Sequence, residues 1–321
     1  MFTVTFFHRN AGSSIIAPQA IKLMLGDQAQ VFCFDCRKLF TQHLEAHQID
    51  IAVFEDPVEE LFEQVRSKYP ESRIILISDQ PFLELNSQLN HPISHSVDHI
   101  IGHIGNQEYV SVILRVTLLR MLTGKIFENK DFWRNEPRTA RKSISDSDLK
   151  HEMCAYIENF FSKLKLSTPT IRSLRSVGEE LVMNAIYDAP LSIAKKGRDY
   201  QLTERTNRML LDKKDAAKVI CCFDGRFAAI CVEDPFGGLT RENFFKYVHK
   251  ITRKDEGNAI IDQKTVGAGL GIYKILHLSH SLICSVHPGK KTQSLALIDT
   301  STPVRDVSKL PRTIQFYLSA P

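Results

Sequence analysis

The chain has 321 residues, 43% of them hydrophobic, enough to bury one or two ordinary cores, so two domains are expected. Its net charge of +4, left by 41 basic against 37 acidic residues, is too even a balance to imply nucleic acid or an anionic membrane as partner. No run approaches the ~18 consecutive apolar residues that span a bilayer, and Met1 to Phe7 reads as a strand rather than a signal peptide. A cytoplasmic protein is expected.

Residues 1–124 alternate short apolar runs with helical patterns, the signature of β-α units wound around a parallel sheet. The strands are expected at Thr3 to Phe7, Gln30 to Phe34, Ile49 to Phe54, Arg73 to Ile77 and Val97 to Ile101. The helices are expected near Pro18 to Leu25, Arg37 to His47, Pro57 to Lys68, Phe82 to Leu89 and Gln107 to Leu122. Pro57 suits a first helical position, and Glu59 and Glu60 complement the dipole there. In the last helix Val110, Ile113, Leu114, Thr117, Leu118 and Met121 share one face. These units make a five-stranded, doubly wound α/β domain.

Seven cysteines are present, and Cys33, Cys221, Cys222, Cys231 and Cys284 sit in apolar runs that suit reduced, buried thiols. Cys33 and Cys36 form a C-x-x-C, but no second pair stands at zinc spacing, so metal or redox use is not expected.

Residues 125–147 are polar, charged and broken by Pro137, and read as a linker. Residues 148–321 then carry two helical patterns, Asp148 to Leu164 and Pro169 to Tyr187, before a series of strand-like runs. Helices preceding strands predict an α/β sandwich.

Three stretches of this second domain carry chemistry. Glu180, Asn184 and Asp188, four apart on a helix, project to one side, while Leu181, Val182, Ala185 and Ile186 can face the core. A carboxylate and an amide oxygen at that spacing can hold hydrated Mg²⁺ and position an attacking hydroxyl, though the same spacing also marks many solvated helix faces. The strand Ile230 to Asp234 ends in an acid and a glycine turn, Gly237 and Gly238, where a carboxylate can accept from an adenine amino group. Gly267-Ala-Gly269-Leu-Gly271 leads into a helix, Tyr273 to Leu278, and could present N–H groups to phosphates.

Glu-x-x-x-Asn-Ala, Asp234 to Leu239 and Gly267 to Gly271 resemble, in order, the N, G1 and G2 boxes of the GHKL ATPases, the superfamily of histidine kinases, anti-sigma serine kinases, gyrase and MutL. The resemblance covers roughly residues 148–320 and implies ATP and Mg²⁺ as cofactors. It implies Glu180 as the catalytic carboxylate, Asn184 as the Mg²⁺ ligand and Asp234 as the adenine reader. It also places Asp188 in the binding site, Gly238 near the base, Gly267, Gly269 and Gly271 around the phosphates, and Thr292 beside the adenine acid. Thr240 to Val266 would form a lid whose Lys250, Arg253 and Lys254 are available to phosphates. One departure is Phe236, which stands where the G1 box usually has its first glycine and reshapes the expected adenine end.

Within the superfamily, His151 lies too near Glu180 to serve a phosphoacceptor hairpin, and the chain ends too soon for the transducer domain of gyrase or MutL. The layout resembles the anti-sigma serine kinases, which implies a protein partner such as a sigma factor or its antagonist.

The N-terminal domain resembles a response-regulator receiver without its acid pair: strand one ends His8-Arg9-Asn10 and strand five ends Gly102-His103. Glu55 stands at the acceptor position, or Asp56 with a one-residue shift, and Ser78 matches the hydroxyl switch. Such a pseudo-receiver implies a protein-binding or homodimerisation module, with Glu55 either a fixed negative charge or a structural acid. Two functions remain open: an ATP-dependent serine/threonine kinase, and a non-catalytic ATP sensor.

Overall fold

Apolar runs and amphipathic stretches alternate through the first domain, and the computed structural model turns them into strands and helices in succession. It describes residues 2–8, 18–55, 57–81, 84, 97–105, 107–191, 207–252 and 268–319. The protein is mixed α/β, and the chain divides into two compact units, Met1–Phe132 with Leu310–Gln315 and Trp133–Lys309 with Phe316–Pro321. Among the described residues, no helix is long and apolar enough to cross a membrane.

The first unit contains β1 (Phe2–Phe7), α1 (Pro18–Leu25), β2 (Ala29–Phe34), α2 (Arg37–Ala46), β3 (Ile51–Phe54), α3 (Glu59–Lys68), β4 (Arg73–Ser78), β5 (His99–Gly102) and α4 (Gln107–Thr123). The strands run parallel in the order β2-β1-β3-β4-β5. Every residue of β3 and β5 is buried, as a parallel sheet covered on both faces requires. Phe54 packs between Phe40 of α2 and Phe62 of α3, with ring centroids 5.5 and 4.8 Å away. The expected helix at Phe82 to Leu89 lies outside the described residues, Glu84 apart.

Helix α4 is buried on more than the one expected face, since Tyr109, Val116 and Arg120 are covered too. The C-terminal strand β11 (Thr313–Leu318) supplies part of the cover, with Ile314 and Gln315 pairing antiparallel to Ile100 and His99 of β5. Thr313 Oγ1 accepts from Tyr109 Oη at 3.2 Å, and Gln315 Nε2 donates to Thr117 Oγ1 at 2.6 Å. On the other flank Arg120 Nη2 donates to Glu128 O and Asn129 Oδ1, both at 2.8 Å, and its guanidinium lies 4.8 Å from the Phe132 ring centroid.

These contacts revise the expected boundaries. Residues 125–132, read as linker, finish the first unit, and residues 310–315, read as part of the second domain, belong to the first. Residues Arg138–Ile144, also read as linker, form β6, an edge strand paired with one neighbour. Its polarity is that of a strand with most of its residues exposed, where charge discourages edge-to-edge association.

The second unit contains, after β6, α5 (Lys150–Ser162), α6 (Thr168–Met183), β7 (Ala217–Phe223), β8 (Phe227–Asp234), α7 (Arg241–Thr252), α8 (Ala268–Leu278), β9 (Ser281–His287) and β10 (Lys291–Asp299). Strands run antiparallel in the order β9-β10-β8-β7-β6. Helix α6 starts where Ser167 accepts from Thr170 N at 3.3 Å, packs on α5 and β8, and passes into a π-helical turn, Asn184–Asp188. His151 is exposed on α5.

Candidate functional site

A cavity of about 370 Å³ opens within the second unit between the sheet and helices α6, α7 and α8. Asp234 and Thr292 are register partners on β8 and β10, and both line it. Asn184 and Asp188 enter from the π-helical turn, and Gly238 from the turn after β8. Five predicted binding residues from three distant stretches therefore share one space.

Asp234 is the most constrained of them. Its Oδ1 accepts from Phe236 N at 2.9 Å and Gly237 N at 3.4 Å. Burial pushes its carboxyl up to about 7, against the lowering effect of those two N–H groups and of Thr292. Phe236 thus contributes a backbone donor, and its own ring is fully buried outside the cavity lining. Gly237 is required by both conformation and space: its φ is +62°, and a Cβ there would meet His287 O at 2.1 Å.

Glu180 was expected to share a side with Asn184 and Asp188; it faces Gly271 of α8 together with Asn184, but it is not among the residues that line the cavity. Its Oε1 accepts from Lys274 Nζ of α8 at 3.0 Å, and a Cβ on Gly271 would stand 2.9 Å from its Oε2. Leu181, Val182, Ala185 and Ile186 are buried as expected, and Leu181 and Ala185 also line the cavity. The wider π-turn that begins at Asn184 rotates the residues beyond it away from strict four-residue spacing, a distortion frequent at functional sites.

The glycine-rich stretch differs as well. Helix α8 begins at Ala268 rather than Tyr273, so Gly269 lies in its first turn and Gly271 backs onto Glu180 and Asn184. Gly267 lies outside the described residues, as do Arg253 and Lys254, while Lys250 belongs to α7. Thr292 stands in β10.

Several lining residues carry no local signal of a site. Phe244 and Tyr247 of α7, three apart, supply aromatic walls, and Ile272 and Ile275 supply apolar ones from α8. Cys284 lies beside Ser294 (3.6 Å), its thiol pushed up to about 12 by burial. These are ordinary apolar-pattern residues whose spacing marks only a buried face.

No cluster of three or more His, Cys, Asp or Glu side chains is placed to hold a metal among the described residues. The pair Asn184 and Asp188 fits a hydrated Mg²⁺ only in company with ligand phosphates, the usual mode of binding for this ion.

The receiver-like positions of the first unit also resolve. Glu55 is 4% exposed, and its Oε2 lies 3.2 Å from His8 Nδ1. Burial opposes charge on His8, but hydrogen bonds and charge from Cys33 and Glu55 raise it to about 9. Glu55 therefore has its charged partner, His8, within the same unit. Asp56, Arg9 and Asn10 lie outside the described residues. Ser78 Oγ accepts from Gln80 N at 3.1 Å, and Gly102 N donates to Thr313 Oγ1 at 3.1 Å. Cys33, expected to be buried, is half-exposed, and Cys36 is exposed.

No family model matches the chain, and no curated protein matches its sequence.

Proposed function

We propose that the second unit is a GHKL-type ATP-binding domain and that the protein is a signalling regulator, a serine/threonine kinase of the anti-sigma type acting on a protein partner. The observation that carries this is the meeting of Asp234, Thr292 and Gly238 with Asn184 and Asp188 in one cavity. A buried carboxylate offers an acceptor to the adenine amino group, and Phe244 and Tyr247 give the ring apolar contact. Asn184, with Asp188 nearby, would hold Mg²⁺ against the phosphates. When bound, that ion neutralises charge developing on the transferred phosphoryl group. Glu180 would accept the proton of the incoming hydroxyl. In the first unit, the pseudo-receiver reading makes the domain a protein-binding module.

One observation favours a second reading, a non-catalytic ATP sensor. Glu180 is paired with Lys274 at 3.0 Å, a counter-charge that weakens a carboxylate as a base.

Titration of ATP and ADP with Mg²⁺, then ADP release on the same samples, tests both. The kinase reading expects saturable binding with release, and Glu180→Gln abolishes release while sparing binding. The sensor reading expects binding without release in the presence of candidate partners. In that case Lys274→Met, which frees Glu180, restores no turnover either. Absence of nucleotide binding sinks both.

A further inference from the structure

The first unit holds a side-chain cluster that nucleotide binding does not use. In a parallel sheet, register partners point to the same face. Phe6 is opposite Cys33 on β2 and Val53 on β3, and Glu55 N donates to Phe7 O at 3.1 Å. His8, Cys33 and Glu55 therefore stand on one face, at the C-terminal ends of three adjacent strands.

Within that cluster the His8 ring stacks on Phe6 at 5.7 Å and pairs with Glu55 at 3.2 Å, and Cys33 hydrogen-bonds to His8. His8 and Glu55 are 3% and 4% exposed, whereas Cys33 is half-exposed. A buried ion pair is weak as a stabilising device, because desolvation offsets its attraction. Its place is more telling than its energy. In the order β2-β1-β3, connections leave β1 in opposite directions, and the crevice outside the strand ends at such a switch point is where wound α/β domains bind ligands.

Cys36 does not belong to this arrangement. It caps α2, and α2 packs through Phe40 on Phe7 and Phe54, on the face opposite His8.

We propose that Cys33 is a nucleophilic thiol, with the His8 imidazolium as its counter-charge and Glu55 as the residue positioning His8, forming an S-thiolation site for low-molecular-weight disulfides. The thiol gives its proton to water, the His8 imidazolium stabilises the thiolate so formed, and the Cys33 sulfur attacks one sulfur of the disulfide. The old S–S bond breaks as the mixed disulfide forms, and the departing thiolate takes a proton from water. A small thiol reverses the step.

The test uses the full-length protein and 5,5′-dithiobis(2-nitrobenzoate) at pH 7, with labelling rates at Cys33 and Cys36 read by peptide mass spectrometry. Cys36 serves as internal reference. His8→Gln is expected to lower the Cys33-to-Cys36 rate ratio about tenfold, and Glu55→Gln severalfold, with the Cys36 rate unchanged. Because His8→Gln removes a buried partner and can loosen the unit, Glu55→Gln, which keeps the shape of the carboxyl group, decides. A ratio that stays level or rises in a folded Glu55→Gln protein overturns the proposal, as does a wild-type Cys33 slower than Cys33 in the urea-unfolded chain.

Discussion

Each unit buries a carboxylate at the end of a strand, and the two are satisfied in opposite ways. Glu55, after β3, faces an imidazole that is raised to about 9 and so is charged at neutral pH. Asp234, at the end of β8, accepts from two backbone N–H groups, and burial drives it up to about 7. The first carboxylate has its counter-charge within the fold, whereas the second has neutral donors and lines a cavity. Burial alone therefore does not decide how a carboxylate is balanced; the kind of partner does.

The sharpest way to break this contrast is Asp234→Asn, which replaces an acceptor-only group by one that also donates. Nucleotide affinity measured by calorimetry should fall on the order of 100-fold, since a mismatched donor is left buried. The same variant should unfold at higher temperature than wild type at pH 8 but not at pH 4. A carboxyl raised from 3.8 to about 7 by folding costs stability progressively between those values, and asparagine carries no such cost.

Next comes the pair in the first unit. His8 is raised from 6.5 to about 9, so its contribution is fully present below pH 6.5 and is lost as pH rises through 9. Urea unfolding of wild type should show a decline on the order of 2 kcal/mol across that window, and Glu55→Gln should flatten it. A wild-type curve with no slope there would remove the charged pair.

The smallest effect is on binding. If the ligand's amino group donates to ionised Asp234, the affinity for adenosine, which does not titrate in this range, should rise about tenfold from pH 6 to pH 8. An affinity independent of pH would mean that the base does not contact Asp234.

Much of the secondary structure was legible from local pattern. Strands β1 to β4 and helices α1 to α3 lie within a few residues of the positions read from apolar runs, because hydrophobic periodicity is a local property, although Pro57, read as a first helical position, precedes the Val58 cap of a helix that starts at Glu59. Asn184, Asp188, Asp234 and Gly238 could likewise be singled out from a short spacing or a turn signal, and Thr292 only through the family resemblance. What failed did so for nonlocal reasons. The exposed strand β6 looked like a connector because an edge strand has only one partner and few buried side chains. Glu180 pairs with Lys274, 94 residues away in sequence, a partner that no helical spacing reveals.

By itself, then, the sequence determined the alternation of strands and helices and the α/β class, since these depend on neighbours three or four positions apart. Only the tertiary structure decided that Leu310–Gln315 completes the first unit, that Cys33 and Glu55 flank His8, and that Asp234 meets Thr292 at a cavity while Glu180 pairs with Lys274. Those pairings join residues tens to hundreds of positions apart, and strand register and burial, which the fold sets as a whole, choose among them.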